Sequence, residues 1–329
     1  MIAAHLLVLG PFDWGSPGTW LQIVDGRSSI LFAVLAGVSI GLTTGGTRPT
    51  AGARLRTSRK RLAVRALALW VLGILLILTG VPVYVILPAY AILFLLVIPF
   101  LRLTAGPLLG IAAAGLVVMP WVQAGLEVLP FWSSAEGESI GLVLGWAYPF
   151  PLWIVFVIAG LAIGRLNLHD GGVAVLLVGG GAALAMIGYG IGGMLAPAGD
   201  ADPDGYLQIV TSMRAHSGGL PEAVGSTGFV VAVLGLCLLI CRTPLRMVVL
   251  PLRATGSMPL TAYTAQILVW AVWAVAALGD TTDLYAFRAL EPFWLLTLGV
   301  VAACTAWALV VGRGPLEALL DRIARGFAA

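Results

Sequence analysis

Four groups of side chains in this sequence are equipped for chemistry. His5 stands in an apolar N-terminal stretch, where an imidazole can accept a proton, donate one or hydrogen-bond a neighbour. Asp25-Gly26-Arg27-Ser28-Ser29 heads a long apolar run. Acid and base two apart on a helix do not face each other, so Asp25 and Arg27 reach different partners: Asp25 towards His5, Arg27 towards an anionic group, with Ser28 beside them. The plainer alternative makes Asp25 a helix N-cap and Arg27 a snorkelling cation. Arg214, His216, Ser217 and Glu222 precede Gly225-Ser226-Thr227-Gly228, where a helix N-terminus offers N–H groups to anions. His216 and Ser217 are too close in sequence to form a catalytic dyad, so His216 is either an acid–base group or an ordinary loop histidine. Tyr263 and Gln266 share a face just after Gly256-Ser257-Met258-Pro259, a combination that breaks a helix and frees backbone N–H groups. Those groups then line a cavity or meet protein, and a kinked packing helix is the bland reading.

The elements that position these groups are membrane helices. Mean hydropathy is +1.02, with 60% hydrophobic and only 10% charged residues, which excludes an ordinary soluble globule. Apolar runs long enough to span a bilayer cover about 27–45, 63–81, 84–101, 107–125, 146–164, 172–195, 225–241, 256–278 and 293–312. The segment 1–11 reads as the outer half of a first helix whose cytoplasmic half is absent. The expected fold is therefore all-α and polytopic, one domain over 1–329, with about ten transmembrane helices, the first truncated.

Charge orients them. Of 18 basic residues, only Arg27, Arg214 and Arg288 fall on the side that carries 12 of the 15 acids. The rest sit on alternate connections: the basic loop 46–65, Arg102, Arg165, the loop with Arg242, Arg246 and Arg253, and Arg313, Arg322 and Arg325 at the end. Positive residues stay in the cytoplasm on insertion, so both termini are expected inside, in a multi-pass plasma-membrane protein. The basic surplus faces anionic headgroups of the lipid bilayer, and no nucleic-acid partner is expected.

Two outer loops, 126–148 and 197–224, are long. The first carries Phe131, Trp132, Trp146 and Tyr148, suited to the headgroup level. In the second, Asp200, Asp202 and Asp204 resemble a calcium loop but lack its downstream Gly and Glu, and no metal is expected. Within 171–195, Gly188 and Gly192 form a small-xxx-small pair that brings two backbones together. Packing within the chain is the simplest use; a homodimer competes. Cys237, Cys241 and Cys304 read as reduced, packed thiols.

The stretch headed by Asp25-Gly26-Arg27-Ser28-Ser29 resembles the second-helix signature of bacterial heparan-alpha-glucosaminide N-acetyltransferase-like membrane proteins. Gly256-Ser257-Met258-Pro259-Leu260-Thr261-Ala262-Tyr263 and Gly314-Pro315-Leu316-Glu317 are similar to the related YeiB-like proteins, as are His216-Ser217-Gly218 and Gly160-Leu161-Ala162-Ile163-Gly164-Arg165. The resemblance implies an acyltransferase that takes an acetyl or other acyl group from cytoplasmic acyl-CoA and delivers it to an extracytoplasmic sugar or glycolipid. It makes His5 the matching first-helix polar residue, acting on the acceptor or relaying the acyl group. Asp25 would orient it, Arg27 and Ser28 would hold substrate, and His216 and Ser217 would line the outer mouth. Two departures stand out: an Arg-Gly start to the first helix is missing, and no further histidine lies between Trp14 and Asp25. The competing expectation is a proton-coupled transporter or exporter of a small polar or lipid-linked solute, or a non-catalytic membrane protein.

Overall fold

The structure is a computed structural model that describes residues 2–8, 10, 13, 15–195 and 205–327. Trp14 and the aspartates of the calcium-like loop, Asp200, Asp202 and Asp204, lie outside the described residues. Within them the chain is helical, with no strand. The longer helices in chain order are α1 (Arg27–Thr43), α2 (Gly52–Ile77), α3 (Leu87–Leu96), α4 (Ala105–Glu127), α5 (Phe150–Ile163), α6 (Gly171–Leu195), α7 (Leu220–Ile240), α8 (Pro259–Leu278), α9 (Pro292–Val310) and α10 (Pro315–Gly326).

Among the described residues six segments are long and apolar enough to cross a membrane: Pro17–Thr43, which contains α1, together with α4, α6, α7, α8 and α9. Helices α3 and α5 are apolar but shorter. Helix α2 falls out for a different reason. Arg54, Arg56, Arg59, Lys60, Arg61 and Arg65 fill its head, leaving an apolar stretch from Ala66 of only about 18 Å. These are the helices of a membrane protein. The chain divides into two compact units, Gly26–Arg59 with Ile92–Arg242, and Met1–Asp25 with Lys60–Ala91 and Thr243–Ala329.

In the unit built on Ile92–Arg242, two helix crossings are set by glycine. On the α1–α5 crossing, Gly37 faces the Val157 carbonyl, Gly160 faces the Val34 carbonyl, and Gly41 lies against Gly164. A side chain at any of them would meet backbone. At the end of this crossing Arg165, only 3% exposed, donates through one guanidinium nitrogen to the carbonyls of Gly41 (2.7 Å), Thr44 (3.1 Å) and Gly46 (3.3 Å). Its other terminal nitrogen reaches Thr44 Oγ1 (2.9 Å) and the Leu101 carbonyl (2.6 Å). The charge pattern marked Arg165 as a topology residue; its side chain also satisfies the carbonyls that α1 leaves open at its C-terminus. The second crossing joins α6 to α7. Gly188 sits on Gly225, with an added Cβ only 2.6 Å from the Gly225 Cα, and Gly181 sits on Gly228 and Ala232. The expected small-residue pair is thus used inside the chain, with Gly192 against Pro221 and Met213.

In the other unit the break foreseen at Gly256-Ser257-Met258-Pro259 is present. The short helix Leu250–Gly256 ends, Met258 takes non-helical angles, and α8 restarts with Pro259 in its first turn. The N–H groups this frees meet protein. Glu317 accepts from Leu260 N–H (2.8 Å) and Thr261 N–H (3.1 Å) and binds the Thr261 hydroxyl. Two motifs far apart in sequence therefore close into one latch, over which Gly314 packs on Met258. Asp321 of α10 gathers Arg65 (2.8 Å), Arg313 (2.9 Å) and Arg325 (3.1 Å). Burial alone would raise its carboxyl, but the Arg313 hydrogen bond and the three positive charges outweigh that and hold it below the usual carboxylate range. Arg288 donates twice to the His5 carbonyl, at 3.1 and 2.6 Å, at the end of the short helix Ile2–Leu6.

One expectation needs correction. Cys304 is a buried free thiol, but Cys237 and Cys241, also free, are exposed, because they lie near the end of α7 beyond its glycine contacts. The α6 glycines separate cleanly into packed and open positions, which makes a test. Gly188→Ala should destabilise the protein by about 1–3 kcal/mol through overpacking. Gly190→Ala, where an added Cβ meets nothing within 4 Å, should be neutral or stabilising by up to about 1 kcal/mol. Thermal unfolding of the two variants in detergent distinguishes them; equal melting temperatures would refute the crossing.

Candidate functional site

A polar cavity of about 170 Å³ opens in the Ile92–Arg242 unit. Its wall takes Gly26 and Ile30 from the α1 side, Glu127 from the end of α4, Trp146, Trp153 and Phe156 around the start of α5, and His216 and Glu222 from the entry to α7. Each piece is placed by a local feature. Gly26 has φ +66°, a left-handed turn that lets α1 begin directly against Ala215 and Glu222; an added Cβ would lie 3.0 Å from the Ala215 Cβ. Trp132 stacks on Trp146 with ring centroids 4.0 Å apart, fixing that indole at the cavity edge.

The entry to α7 is organised by Glu222. This carboxylate is 5% exposed and accepts from His216 N–H (2.6 Å) and Gly218 N–H (2.8 Å), and from the Ser217 hydroxyl (3.1 Å). His216 and Gly218 both have φ near +65°, so these two alternate N–H groups turn towards one carboxylate while the Ser217 N–H between them donates to the Arg214 carbonyl. A non-glycine residue in that conformation is uncommon, and here the hydrogen bonds to Glu222 hold it. The imidazole of His216 is exposed at the cavity mouth while its backbone is pinned. Opposite, Glu127 Oε1 accepts from Gln123 Nε2 (2.9 Å), and Gln123 is fully buried.

Beside this cavity Arg27 donates from Nε to the Tyr189 hydroxyl (2.7 Å), which pairs with Ser226 Oγ (2.9 Å). Its guanidinium lies 5.0 Å from the Tyr189 ring and 5.5 Å from Phe229, cation–π distances. Ser28 is half-buried on the same first turn of α1. The structure thus brings Gly26, Arg27, His216 and Ser217, segments nearly two hundred residues apart, to one locality. The other expected site residues lie in the other unit. His5 is half-buried and receives Arg288 at its carbonyl; Asp25, also half-buried, accepts from Gln22 Nε2 (3.1 Å). Tyr263 is buried and its hydroxyl accepts from Ile86 N–H (3.2 Å), with Gln266 buried one turn on.

Glu222 belongs to the polar cluster legible in the sequence, but its place beneath the His216 loop is not; Glu127, Tyr189 and Trp153 are contributors that the sequence does not single out. A signal exists for Glu127: Gln123 and Glu127 are four apart at the end of an apolar run, where two polar groups share a face. Nothing local announces Tyr189 or Trp153.

Residues 182–326 match the model of a family described as a protein of unknown function (DUF418). The matched stretch contains the His216-Ser217-Gly218, Gly256-Ser257-Met258-Pro259 and Gly314-Pro315-Leu316-Glu317 segments, consistent with a YeiB-like likeness. No curated protein and no solved structure matches the chain.

Replacing the Glu222 carboxylate should release the loop. Glu222→Gln puts an amide donor against N–H groups and should cost about 1–3 kcal/mol of local stability, with Glu222→Ala at the upper end. Amide exchange over 214–219 should accelerate roughly ten- to a hundredfold while the middle of α7 stays protected. Unchanged protection in both variants would remove Glu222 from its organising role.

Proposed function

We propose that this protein is a heparan-alpha-glucosaminide N-acetyltransferase-like, YeiB-like membrane acyltransferase. It would move an acetyl or other acyl group from cytoplasmic acyl-CoA to an extracytoplasmic sugar or glycolipid acceptor. The observation that carries this reading is the convergence of Gly26 and His216 on one polar cavity walled by carboxylates and indoles. Aromatic faces and carboxylates suit a polyhydroxylated ring, and a cavity of about 170 Å³ has room for the reacting end of an acceptor rather than the whole of it.

In this reaction the acceptor oxygen or nitrogen gives its proton to His216 and attacks the thioester carbonyl. The C–S bond breaks, and the departing thiolate takes the proton from the imidazolium, leaving CoA thiol and acylated acceptor. Glu222 holds the His216 loop and acts as a positioning residue; Glu127 accepts an acceptor hydroxyl or amine. Ser217 lines the mouth, and Arg27 and Ser28 steady the substrate from α1. His5 and Asp25 keep the roles the resemblance gives them, relay and orientation, and Tyr263 and Gln266 remain candidate substrate contacts. Arg54, Arg56, Lys60 and Arg61, exposed on the head of α2, suit the phosphates of the CoA donor.

The accompanying topology is ten helices with both termini cytoplasmic in the plasma membrane, supported by the charge bias. A phosphatase reporter that matures only outside the cytoplasm should be active when inserted after residues 130, 213 and 282, and silent after 48, 168, 243 and 327. Activity at the last position would overturn that orientation.

Purified protein given acetyl-CoA and a panel of sugar and aminosugar acceptors should release CoA thiol in an acceptor-dependent manner. His216→Ala should lower the rate about a hundredfold or more, and His5→Ala reads the contribution of the other unit. Absence of CoA release from the wild type, or full activity in His216→Ala, would sink the assignment. Proton-coupled transport is the second reading, favoured by two carboxylates, Glu127 and Glu222, within membrane-length helices. Proton-driven solute flux without thioester consumption would establish it instead.

A further inference from the structure

A second cavity, of about 350 Å³, lies in the other unit between α8 and α9. It runs along both helices, past Ala265, Val269 and Trp273 on α8 and past Gly299, Ala303 and Trp307 on α9. From Thr261 to Trp273, and from Leu295 to Trp307, each wall extends roughly 18 Å, close to the half-thickness of a bilayer core. Ala265, Gly299 and Ala303 leave its walls low, and a Cβ added at Gly299 would meet nothing within 4 Å. Its floor is dry, with Leu296, Val300 and Cys304 all under a tenth exposed. Its rim is open, with Val269, Leu295 and Trp307 between 40% and 68% exposed. The shape is a lengthwise apolar groove of one leaflet's depth.

One end of the groove is charged. Trp307 donates its indole N–H to the Arg313 carbonyl (2.9 Å), so the groove-lining indole holds the segment that carries the arginine. Pro315, two residues on, also lines the groove. Arg313, Arg65 and Arg325 converge on Asp321, which neutralises only one of them. The side chains of Arg313 and Arg325 remain 55% and 59% exposed. A preassembled cluster of guanidinium groups at the mouth of an apolar channel is complementary to a phosphate carried on an acyl chain.

We propose that the α8–α9 groove and its arginine cluster form a binding site for one anionic phospholipid, with an acyl chain along the groove and the phosphate at Arg313. The assignment stands apart from the outer cavity and from acyl transfer, since it uses none of the same residues. Asp321 is a positioning group here: it holds the three arginines at one point rather than letting them spread along the surface.

Tryptophan quenching by brominated acyl chains tests it. Protein in phosphatidylcholine nanodiscs would receive increasing fractions of brominated phosphatidylglycerol or, separately, brominated phosphatidylcholine. The signal is the quenching lost on Trp307→Phe. Half-quenching is expected at a phosphatidylglycerol fraction about fivefold or more below that for phosphatidylcholine, the effect of roughly one arginine charge near the surface. Arg313→Gln with Arg325→Gln should abolish that preference, and Ala303→Leu, which fills the groove, should remove quenching by either lipid. If Ala303→Leu fails to fold, Gly299→Leu serves, since a side chain there enters open space. Equal quenching by the two lipids in the wild type means bulk lipid only and overturns the site, as does a preference that survives loss of both arginines. Relief of quenching by a long-chain acyl-CoA but not by unlabelled phosphatidylglycerol would reassign the groove to the thioester donor. A dimer in sedimentation, with Trp307 quenched by neither lipid, would assign it to a second copy.

Discussion

Every break in a membrane-buried helix leaves main-chain groups that hydrocarbon cannot satisfy, and at three such places among the described residues one charged side chain answers them. Arg165 collects the carbonyls at the end of α1. Glu317 collects the N–H groups at the start of α8. Glu222 collects the N–H groups of the turn that leads into α7. The sign is right in each case, cation on carbonyls and carboxylate on amides, as the dipoles of helix ends require. Arg165 and Glu222 are buried where an unpartnered charge would be costly, Glu317 is half-buried, and each makes several hydrogen bonds at once. The polar cavity is a consequence of the third. Glu222 must lie inside to hold its turn, and a buried carboxylate keeps the adjacent space polar.

Glycine supplies the complementary constraint. Helices in lipid gain little from burying apolar surface against one another, so close approach of backbones replaces it. The α1–α5 and α6–α7 crossings both use glycine on glycine or glycine on carbonyl. Together they set where the N-terminus of α1 and the N-terminus of α7 come to rest, within one unit. The left-handed turn at Gly26 then brings the start of α1 against the Glu222 side chain. Site geometry is in this sense an outcome of backbone packing, with side chains added on top.

Much of this was legible in the residues. A Gly-Ser-Met-Pro string marks a helix restart because its conformational effects are local, and the restart occurs within two residues of it. Helix length and apolarity are likewise local sums. Two of the arginines that depart from the charge pattern have partners in the structure: Arg27 is engaged by two aromatic rings and Arg288 by the His5 carbonyl. What could not be read was partnership. Glu317 lies 57 residues from Leu260, and Arg165 lies 124 from Gly41. No periodicity links such positions, because the pairing is made by tertiary packing. The cysteines show the same limit: apolar runs announced burial for all three, but a helix has an outward face, and Cys237 and Cys241 are on it.

The cavity also divides along the chain in a way that bears on specificity. His216 and Glu222 fall inside the stretch that matches the family of unknown function, while Gly26, Glu127, Trp146 and Trp153 all precede it. In the proposed reaction the first pair supplies the base and its support, and the second group supplies the surface that an acceptor touches. A base held by its own buried carboxylate does not depend on the opposite wall for its orientation. The wall could therefore vary in shape and charge while the acid–base group stays in place, since function resides in sites carried by a fold rather than in the fold itself. Under the proposed function, acceptor choice would rest on the indoles and Glu127 rather than on the matched segment.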